Sequence, residues 1–237
     1  KSNKVKFNEK IKQLYLDINF LFLSKCKNIV VPSNFTKNQL IKYLSINSDN
    51  IYVIPNIINF LKKKPKYNSK FQNLKKNLKK IKTVMCVTSN ETRKNLKLLY
   101  KIIRKSKNIN FVIVGNINNN LNLNNVFYFR NISDENLIYL FKISKVFLDV
   151  SLYEGFGRTL VEAQYFKLKV VCFDTETNKE ILSNTATLIN KNTKIKKIIN
   201  YLNTNSSSNQ KLRFFKNSKK YSQISVYKKF KKKINEI

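Results

Sequence analysis

The chain has 237 residues, 42% of them hydrophobic, which is enough to bury the core of one large domain, alone or with part of another. It contains no histidine, and this excludes zinc sites built from histidine as well as serine–histidine and cysteine–histidine catalytic pairs. No apolar stretch reaches the roughly 18 residues that a membrane-spanning helix needs.

The net charge is +34, from 42 lysines and 5 arginines against 13 acidic residues. Such a charge is typical of nucleic-acid-binding proteins. However, arginine is the better residue for recognising bases, and the lysines are spread over the whole chain. Lysine, asparagine, isoleucine, phenylalanine and tyrosine also share A/T-rich codons. We therefore interpret the charge as a solvated surface of biased composition and do not expect a nucleic-acid partner; contact with anionic lipids is the weaker alternative.

Three cysteines, Cys26, Cys86 and Cys172, lie in or beside apolar runs. Their odd number and their surroundings predict small, buried, free thiols in a reducing compartment, and argue against a disulfide framework or a metal site. We therefore expect a cytoplasmic protein, with peripheral contact at the inner face of a membrane as a further option.

Short β-branched apolar runs alternate with helical patterns along the chain. Strands are predicted at residues 29–31, 51–54, 83–87, 111–114, 126–129, 146–150, 170–173 and 187–189. Helices are predicted at about 33–44, 96–103, 133–144 and 158–167, with two more in the tail 211–237 and a loose helix or linker at 62–82. This alternation predicts an α/β fold with a parallel sheet covered by helices on both faces, which binds ligands at the carboxyl ends of its strands.

The chain has only three glycines, and all three follow predicted strands at that edge. Gly115 closes the apolar run 111–114, and Gly155 and Gly157 lie in the turn before the helix at 158. A glycine turn between a strand and a helix presents free N–H groups to a phosphate. Turn geometry alone is the other explanation for such glycines, and the sequence leaves both open.

Six segments follow one another in a recognisable order: residues 30–40, 51–56, 92–96, 111–115, 132–135 and 153–163. Together they resemble the C-terminal half of the group 1 glycosyltransferases (glycosyltransferase family 4), which are retaining enzymes of the GT-B fold. The resemblance covers nearly the whole chain. It implies a Rossmann-like domain that binds a nucleoside-diphosphate sugar.

The resemblance also implies a division of the chain. Residues 1–31 correspond to a remnant of the N-terminal acceptor domain and the interdomain segment, 32–215 to the nucleotide-sugar-binding domain, and 216–237 to a C-terminal helix that crosses back toward the N-terminal domain. The chain is therefore expected to be a fragment, or one half of a split enzyme whose missing domain or partner chain recognises the acceptor.

Two glutamates separated by seven residues, Glu154 and Glu162, match the family's glutamate pair, which the resemblance assigns to the donor. Glu154 would face the hydroxyl groups of the donor sugar, and Glu162 would accept hydrogen bonds from the ribose diol, for which a carboxylate has suitable oxygens. Lys94 matches the family's diphosphate-binding lysine. Glu154 and Lys94 are thus the expected catalytic residues.

The backbone supplies the remaining predicted donor contacts. Gly155, Phe156 and Gly157 would offer N–H groups near the sugar and phosphates, and Thr159 and Leu160 would do so at the helix N-terminus. The family commonly carries Gly-Arg after the strand at 83–87, where this chain has Thr88 and Ser89. Ser89 is the expected phosphate contact at the arginine position, and Lys94 would bear more of the charge.

The resulting hypothesis is retaining transfer of a sugar from a nucleoside-diphosphate sugar to a hydroxyl of a glycan or lipid-linked acceptor, as in polysaccharide biosynthesis. No metal or other cofactor is expected, because no Asp-x-Asp pair is present. Three alternatives stay open: another reaction on the same fold, such as nucleotide-sugar epimerisation; a nucleic-acid or anionic-surface binding module; and an inert or split-enzyme subunit.

Overall fold

The computed structural model describes residues 19–58, 78, 81–118 and 120–235. Within these ranges the strands are β1 (Ile29–Val31), β2 (Ile51–Val53), β3 (Lys82–Val87), β4 (Ile109–Val114), β5 (Val126–Phe129), β6 (Val146–Asp149), β7 (Lys169–Phe173) and β8 (Thr187–Ile189). The α-helices are α1 (Asn34–Leu44), α2 (Leu96–Lys105), α3 (Asp134–Ile143), α4 (Arg158–Tyr165), α5 (Glu176–Leu182), α6 (Ile195–Asn203), α7 (Ser208–Lys219) and α8 (Gln223–Ile234).

Six of the strands form one parallel sheet in the order β5-β4-β3-β6-β7-β8. The predicted α/β fold is therefore confirmed. Strands of an all-parallel sheet are buried on both faces, which explains why their sequences are nearly continuous apolar runs. All six residues of β4 and all four of β6 are buried.

Two apolar layers cover the sheet, and successive residues of each strand point alternately into them. In β4, Phe111 and Ile113 belong to the cluster that packs against α2 and α6, whereas Val112 and Val114 belong to the cluster that packs against α3 and α4. This arrangement makes the central strands rigid, and their carboxyl ends hold the loops described below.

The remaining two strands, β1 and β2, form a separate two-stranded parallel sheet. The sequence does not distinguish them from the other strands, because strand pairing depends on tertiary contacts. Helix α1 follows β1 directly, and its N-cap Ser33 accepts a hydrogen bond from the N–H of Thr36, as predicted. The small sheet and α1 pack beside α5 of the larger unit.

Glu180, on α5, joins the two units by capping α1. Its Oε1 accepts hydrogen bonds from the backbone N and the side-chain amide of Asn34, each at 2.9 Å, and its Oε2 accepts one from the N–H of Phe35 at 3.1 Å. A carboxylate at the positive end of a helix dipole is also favourable. Glu180 therefore stabilises the start of α1, whose N-cap Ser33 contacts the turn after β6.

Glu180→Ala is expected to lower the free energy of unfolding by about 1–2 kcal/mol, because it removes a charged cap and leaves helix N–H groups unpaired. Glu176→Ala is the matched control, since this glutamate lies on the same helix with a side chain that is 74% exposed and should change stability by less than about 0.5 kcal/mol. Urea unfolding followed by circular dichroism measures both. Equal losses in the two variants would show that the capping contacts contribute nothing.

Helices α5 and α6 are absent from the prediction made from the sequence. Helix α5 has seven residues, too few for a periodic signal, although Thr175 caps it through the N–H of Asn178. Helix α6 does carry a detectable apolar stripe, with Ile198 and Leu202 buried four residues apart. The other predicted elements are present with bounds that agree within three residues, and the tail contains α7 and α8.

Cys86 and Cys172 are buried as predicted, but the prediction for Cys26 is wrong. Cys26 is exposed directly after the helical residues 19–25, among polar neighbours.

Most of the segment 62–82, and residues 1–18 of the predicted interdomain remnant, lie outside the described residues. Within the described part of the chain, no helix is long and apolar enough to cross a membrane.

Candidate functional site

The candidate site begins where β3 and β4 end side by side. Thr88 donates its N–H to the carbonyl of Val114, and Gly115 donates its N–H to the carbonyl of Phe129. Gly115 has a φ of +132°, and a Cβ built there would lie 1.8 Å from the Thr88 carbonyl oxygen. Only glycine fits this position, so the need for Gly115 is internal to the fold. Nearby, Thr88 Oγ1 is buried and has no hydrogen-bond partner among the described residues.

The two glycines of the turn after β6 differ in what requires them. Gly157 caps α4 with a φ of +74°, and a Cβ there would lie 2.8 Å from Cδ1 of Leu160. Gly155 is exposed, and its Cβ would meet only Thr36 Oγ1, at 3.9 Å. Turn geometry therefore explains Gly157, whereas nothing in the described part of the chain excludes a side chain at position 155.

A network of four charged side chains lies between this turn and the loop after β3. Glu154 Oε1 accepts hydrogen bonds from Arg93 Nη1 at 2.6 Å and from Lys94 Nζ at 2.5 Å. Arg93 Nε also donates to Glu91 Oε2 at 2.7 Å, and Ser89 Oγ donates to Glu91 Oε1 at 2.9 Å. Predicted site residues Ser89, Lys94 and Glu154 are thus brought together, although they are up to 65 positions apart in the sequence.

The network is partly sheltered from solvent. The side chains of Lys94 and Glu154 are 13% and 16% exposed, and that of Arg93 is 25% exposed. Ion pairs in such surroundings are stronger than those on an open surface. Arg93 was not among the predicted site residues. Its adjacency to Lys94 in the sequence is the signal that could have indicated it.

Two hydrogen bonds to backbone carbonyls hold the loops of the site together. The N–H of Leu152 donates to the carbonyl of Arg93 at 2.7 Å, which ties the turn after β6 to the 3-10 helix Thr92–Lys94. The carbonyl of Gly155 accepts a hydrogen bond from Ser33 Oγ at 2.7 Å. The turn is thereby fixed from both sides, which pre-orients Glu154 and the N–H groups that follow it.

Asp149 lies beneath this network at the end of β6. It is buried and accepts hydrogen bonds from the Ser151 N–H at 2.8 Å and from the Ser151 hydroxyl. Burial raises the pKa of Asp149, while the nearby positive charge of Lys94 lowers it. Asp149 was not predicted either, because a strand-ending aspartate has no distinctive sequence signal. Its hydrogen bonds fix the backbone just before Glu154.

Glu162 lies one turn into α4, and its side chain is 3% exposed. Arg158 Nε donates to Glu162 Oε1 at 2.7 Å. Burial raises the pKa of Glu162 to about 7, and the hydrogen bond and charge of Arg158 offset only part of this rise. A buried carboxylate that titrates near neutrality, at the carboxyl edge of a parallel sheet, is typical of a functional group.

The predicted backbone donors divide into two groups. The N–H groups of Gly155, Phe156 and Gly157 have no hydrogen-bond partner among the described residues. In contrast, the N–H of Leu160 already donates to the carbonyl of Gly157 at 3.0 Å, so it is engaged within the turn. The side chains of Phe156 and Leu160 are buried in the core, and Thr159 is half-buried at the helix start.

A parallel sheet with helices on both faces and a glycine turn at its carboxyl edge defines a Rossmann-like α/β domain. The sequence model for group 1 glycosyl transferases matches residues 67–221. The chain belongs to the group 1 glycosyltransferases, and it is a glycosyltransferase by family. The resemblance found in the sequence and the fold predicted from it are therefore confirmed.

Solved structures show the same architecture. HepE of Anabaena, in complex with UDP and glucose, superposes with a TM-score of 0.76 at 15% identity over 95% of this chain and 68% of that chain. Sucrose-phosphate synthase of Thermosynechococcus elongatus gives 0.74 at 15% identity over 94% and 61%. A glycosyltransferase of Rickettsia africae ESF-5 gives 0.69 at 19% identity over 89% and 63%. No curated protein sequence matches significantly.

Proposed function

We propose that the carboxyl edge of the sheet binds a nucleoside-diphosphate sugar, and that the chain takes part in retaining transfer of this sugar to an acceptor hydroxyl. The observation that best supports this proposal is the clustering of Arg93, Lys94 and Glu154 beside a turn with unpaired N–H groups. Cations, N–H donors and a carboxylate are the groups that a diphosphate joined to a sugar requires. The complexes of HepE with UDP-glucose and with UDP and glucose support this choice of donor class.

Lys94 and Arg93 together supply the diphosphate-binding charge in this proposal. Ser89 stands where the family carries arginine. Ser89 and Arg93 both donate hydrogen bonds to Glu91, so Arg93 is the proposed substitute for the family's arginine. Both cations contact Glu154 and Arg93 also contacts Glu91, so two positive charges face two carboxylates. A bound diphosphate competes for the cations and leaves Glu154 free to accept hydrogen bonds from the sugar.

The chemistry follows from the charge that develops on the leaving group. When the bond from the anomeric carbon to the diphosphate breaks, negative charge grows on the diphosphate oxygens. Lys94, Arg93 and the turn's N–H groups stabilise this charge, and the Leu152 and Gly155 contacts hold the loops that carry them in place. Glu154 orients the sugar for attack.

Glu162 is proposed to bind the ribose diol, and Gly155 to let the donor approach the backbone closely. Position 155 is exposed and has internal space for a side chain, so a ligand is the remaining reason for a glycine there. The acceptor, a glycan or lipid-linked hydroxyl, would be recognised outside this domain, by an N-terminal domain or a partner chain. A peripheral membrane contact would serve a lipid-linked acceptor. That no metal or other cofactor takes part stays a prediction.

The diphosphate assignment predicts a selective loss. Lys94→Ala should weaken binding of the nucleoside diphosphate by roughly 10- to 100-fold, the effect of one charged hydrogen bond, and leave binding of the nucleoside unchanged. Calorimetric titration of UDP, GDP and ADP, each beside its nucleoside, measures this. Lys97→Ala, an exposed lysine three residues on, is the control and should change neither affinity. An equal loss of nucleoside and diphosphate binding would contradict the assignment.

Retention is tested separately by proton NMR of the product. A transferred sugar with the donor's anomeric configuration supports it, and the opposite configuration contradicts it. Incubating the donor without an acceptor distinguishes transfer from epimerisation, because only an epimerase changes the sugar under those conditions.

A further inference from the structure

A second feature lies at the opposite edge of the sheet, where the strands begin. A cavity of about 860 Å³ is lined there by the first residues of β3, β6 and β7, the last turn of α3, and the segment between α6 and α7. Five lysines line it: Lys82, Lys142, Lys145, Lys169 and Lys211. The length of the strands puts this cavity roughly 15–20 Å from the donor edge, so it is a different place from the proposed donor site.

No carboxylate balances these lysines in the described part of the chain. Ten of the 13 acidic residues are described, and none of the ten lines the cavity. The sequence between Asp49 and Glu91 contains no acidic residue at all. The cavity therefore differs from the lysine-rich surface elsewhere, because its positive charges converge on a concave space, where they reinforce one another.

Two of the five lysines are held by the fold. Lys82 Nζ donates to the carbonyl of Asn203 at 2.6 Å and to Asn205 Oδ1 at 2.7 Å. Lys169 Nζ donates to the carbonyl of Tyr201 at 2.7 Å and to Thr204 Oγ1. Both cap the C-terminus of α6. Burial lowers the pKa of each, and the positive charge of Lys82 lowers the pKa of Lys169 further.

The other three lysines are available to a ligand. Lys142 is in the last turn of α3, Lys145 directly precedes β6, and Lys211 is in the first turn of α7. All three are exposed, and no ion pair or hydrogen bond engages their side chains among the described residues. Helix α3, the residue before β6 and helix α7 thus bring three free ammonium groups to one cavity. The ammonium groups of Lys82 and Lys169, which the fold holds in place, line the same cavity.

We propose that this cavity binds an anion that carries a phosphate group. Lysine ammonium groups bind phosphate as point charges, and several of them match its multiple negative charge. The volume suits a small ligand, and the lining residues Leu78, Ile81 and Ile143 offer apolar surface to a group attached to the phosphate. Both soluble phosphate compounds and the headgroups of anionic phospholipids carry such a phosphate group.

The test compares two triple variants of equal charge. Lys142→Gln, Lys145→Gln and Lys211→Gln combined remove the free lysines, whereas Lys97→Gln, Lys101→Gln and Lys105→Gln, all exposed on α2, remove three charges elsewhere. Glutamine has nearly the helix propensity of lysine, so both variants should fold. The probes are tripolyphosphate, followed by calorimetry, and phosphatidylcholine vesicles with and without phosphatidic acid, followed by sedimentation.

The proposal predicts that the cavity variant binds at least one probe about tenfold or more weakly than the α2 variant does. A selective loss with tripolyphosphate identifies a soluble ligand, and a selective loss with phosphatidic acid vesicles identifies a lipid headgroup. Absence of binding to either probe, or equal losses in the two variants, would overturn the proposal. Stabilisation by nucleoside diphosphates should persist in the cavity variant, which separates this site from the donor site.

Discussion

Glu162→Ala is expected to weaken binding of the nucleoside diphosphate by about 100-fold or more. A carboxylate that accepts two hydrogen bonds from the ribose diol contributes roughly 1.5–3 kcal/mol through each, and alanine removes both. The loss should be the same for the diphosphate and the nucleoside, because both contain the ribose. This pattern differs from the selective loss expected for Lys94→Ala. Unchanged affinity in Glu162→Ala would end the ribose assignment.

Glu176→Ala is the control for this experiment, because Glu176 is an exposed glutamate at the start of another helix. Its affinity for the nucleotide should equal that of the unchanged protein. Arg158→Ala removes the side chain that hydrogen-bonds to Glu162 without removing the carboxylate. We expect it to weaken binding less than Glu162→Ala, since the ribose-binding oxygens remain.

The pH dependence of stability shows whether Glu162 is in the predicted environment. Because burial raises its pKa from the ordinary value of 4.5 to about 7, the folded state holds this proton more tightly than the unfolded state. Its contribution to stability is therefore fully present below about pH 4.5 and is lost as the pH rises through about 7. The whole loss is on the order of 3 kcal/mol.

Glu162→Gln cannot ionise, so it should escape that loss. At pH 8 the glutamine variant is expected to be more stable than the unchanged protein, and at pH 4 the difference should shrink or disappear. Urea unfolding at a series of pH values measures it. A difference that does not vary with pH would show that Glu162 titrates near its ordinary pKa. A stable glutamine variant also shows that lost nucleotide binding is not caused by unfolding.

Gly115→Ala is expected to be the most destabilising single-methyl change in the chain. The φ of +132° is a backbone conformation that only glycine adopts readily, and the added Cβ would lie 1.8 Å from the Thr88 carbonyl oxygen. Relief requires the ends of β3 and β4 to separate, which breaks the hydrogen bond between Thr88 and Val114. We expect a loss of about 4 kcal/mol or more, or a chain that does not fold.

Gly155→Ala is the matched control, because its Cβ would meet only Thr36 Oγ1, at 3.9 Å. Its free energy of unfolding should change by less than about 0.5 kcal/mol. If Gly155 serves the donor, however, the same methyl group should weaken binding of the nucleotide sugar. Equal destabilisation by the two alanine variants would contradict the geometric argument, and a Gly155→Ala variant with normal donor affinity would contradict the functional one.

Much of the fold could be predicted because local signals and tertiary structure agree. The strands of the central sheet are buried on both faces, so they appear as continuous apolar runs, and Ser33 and Ser133 cap their helices as their sequence contexts indicate. The glycines mark the carboxyl edge for a physical reason, since Gly115 and Gly157 adopt positive φ values. In the same way, the order of the six family segments indicated the position of Glu154 and Lys94.

The rest depends on contacts between residues far apart in the sequence. Nothing local shows that Arg93 reaches Glu154, which is 61 positions away, or that Glu180 caps a helix that begins 146 positions earlier. The burial that raises the pKa of Glu162 likewise requires the packed structure. The five lysines around the amino edge are indistinguishable in the sequence from 37 others, and only the fold brings them to one cavity.

Thermal unfolding of the unchanged protein with UDP, GDP or ADP tests donor binding most directly. Tripolyphosphate is the comparison, at a concentration that supplies the same amount of negative charge. A ligand at 100 times its dissociation constant adds about 2.7 kcal/mol of stability. We expect one nucleoside diphosphate to raise the melting temperature, Lys94→Ala to reduce this rise to about half or less, and Glu162→Ala to reduce it further. A rise caused by tripolyphosphate should not depend on Glu162. Absence of stabilisation by all three nucleotides, or stabilisation that both variants retain in full, would contradict the proposal that this chain binds a nucleoside-diphosphate donor.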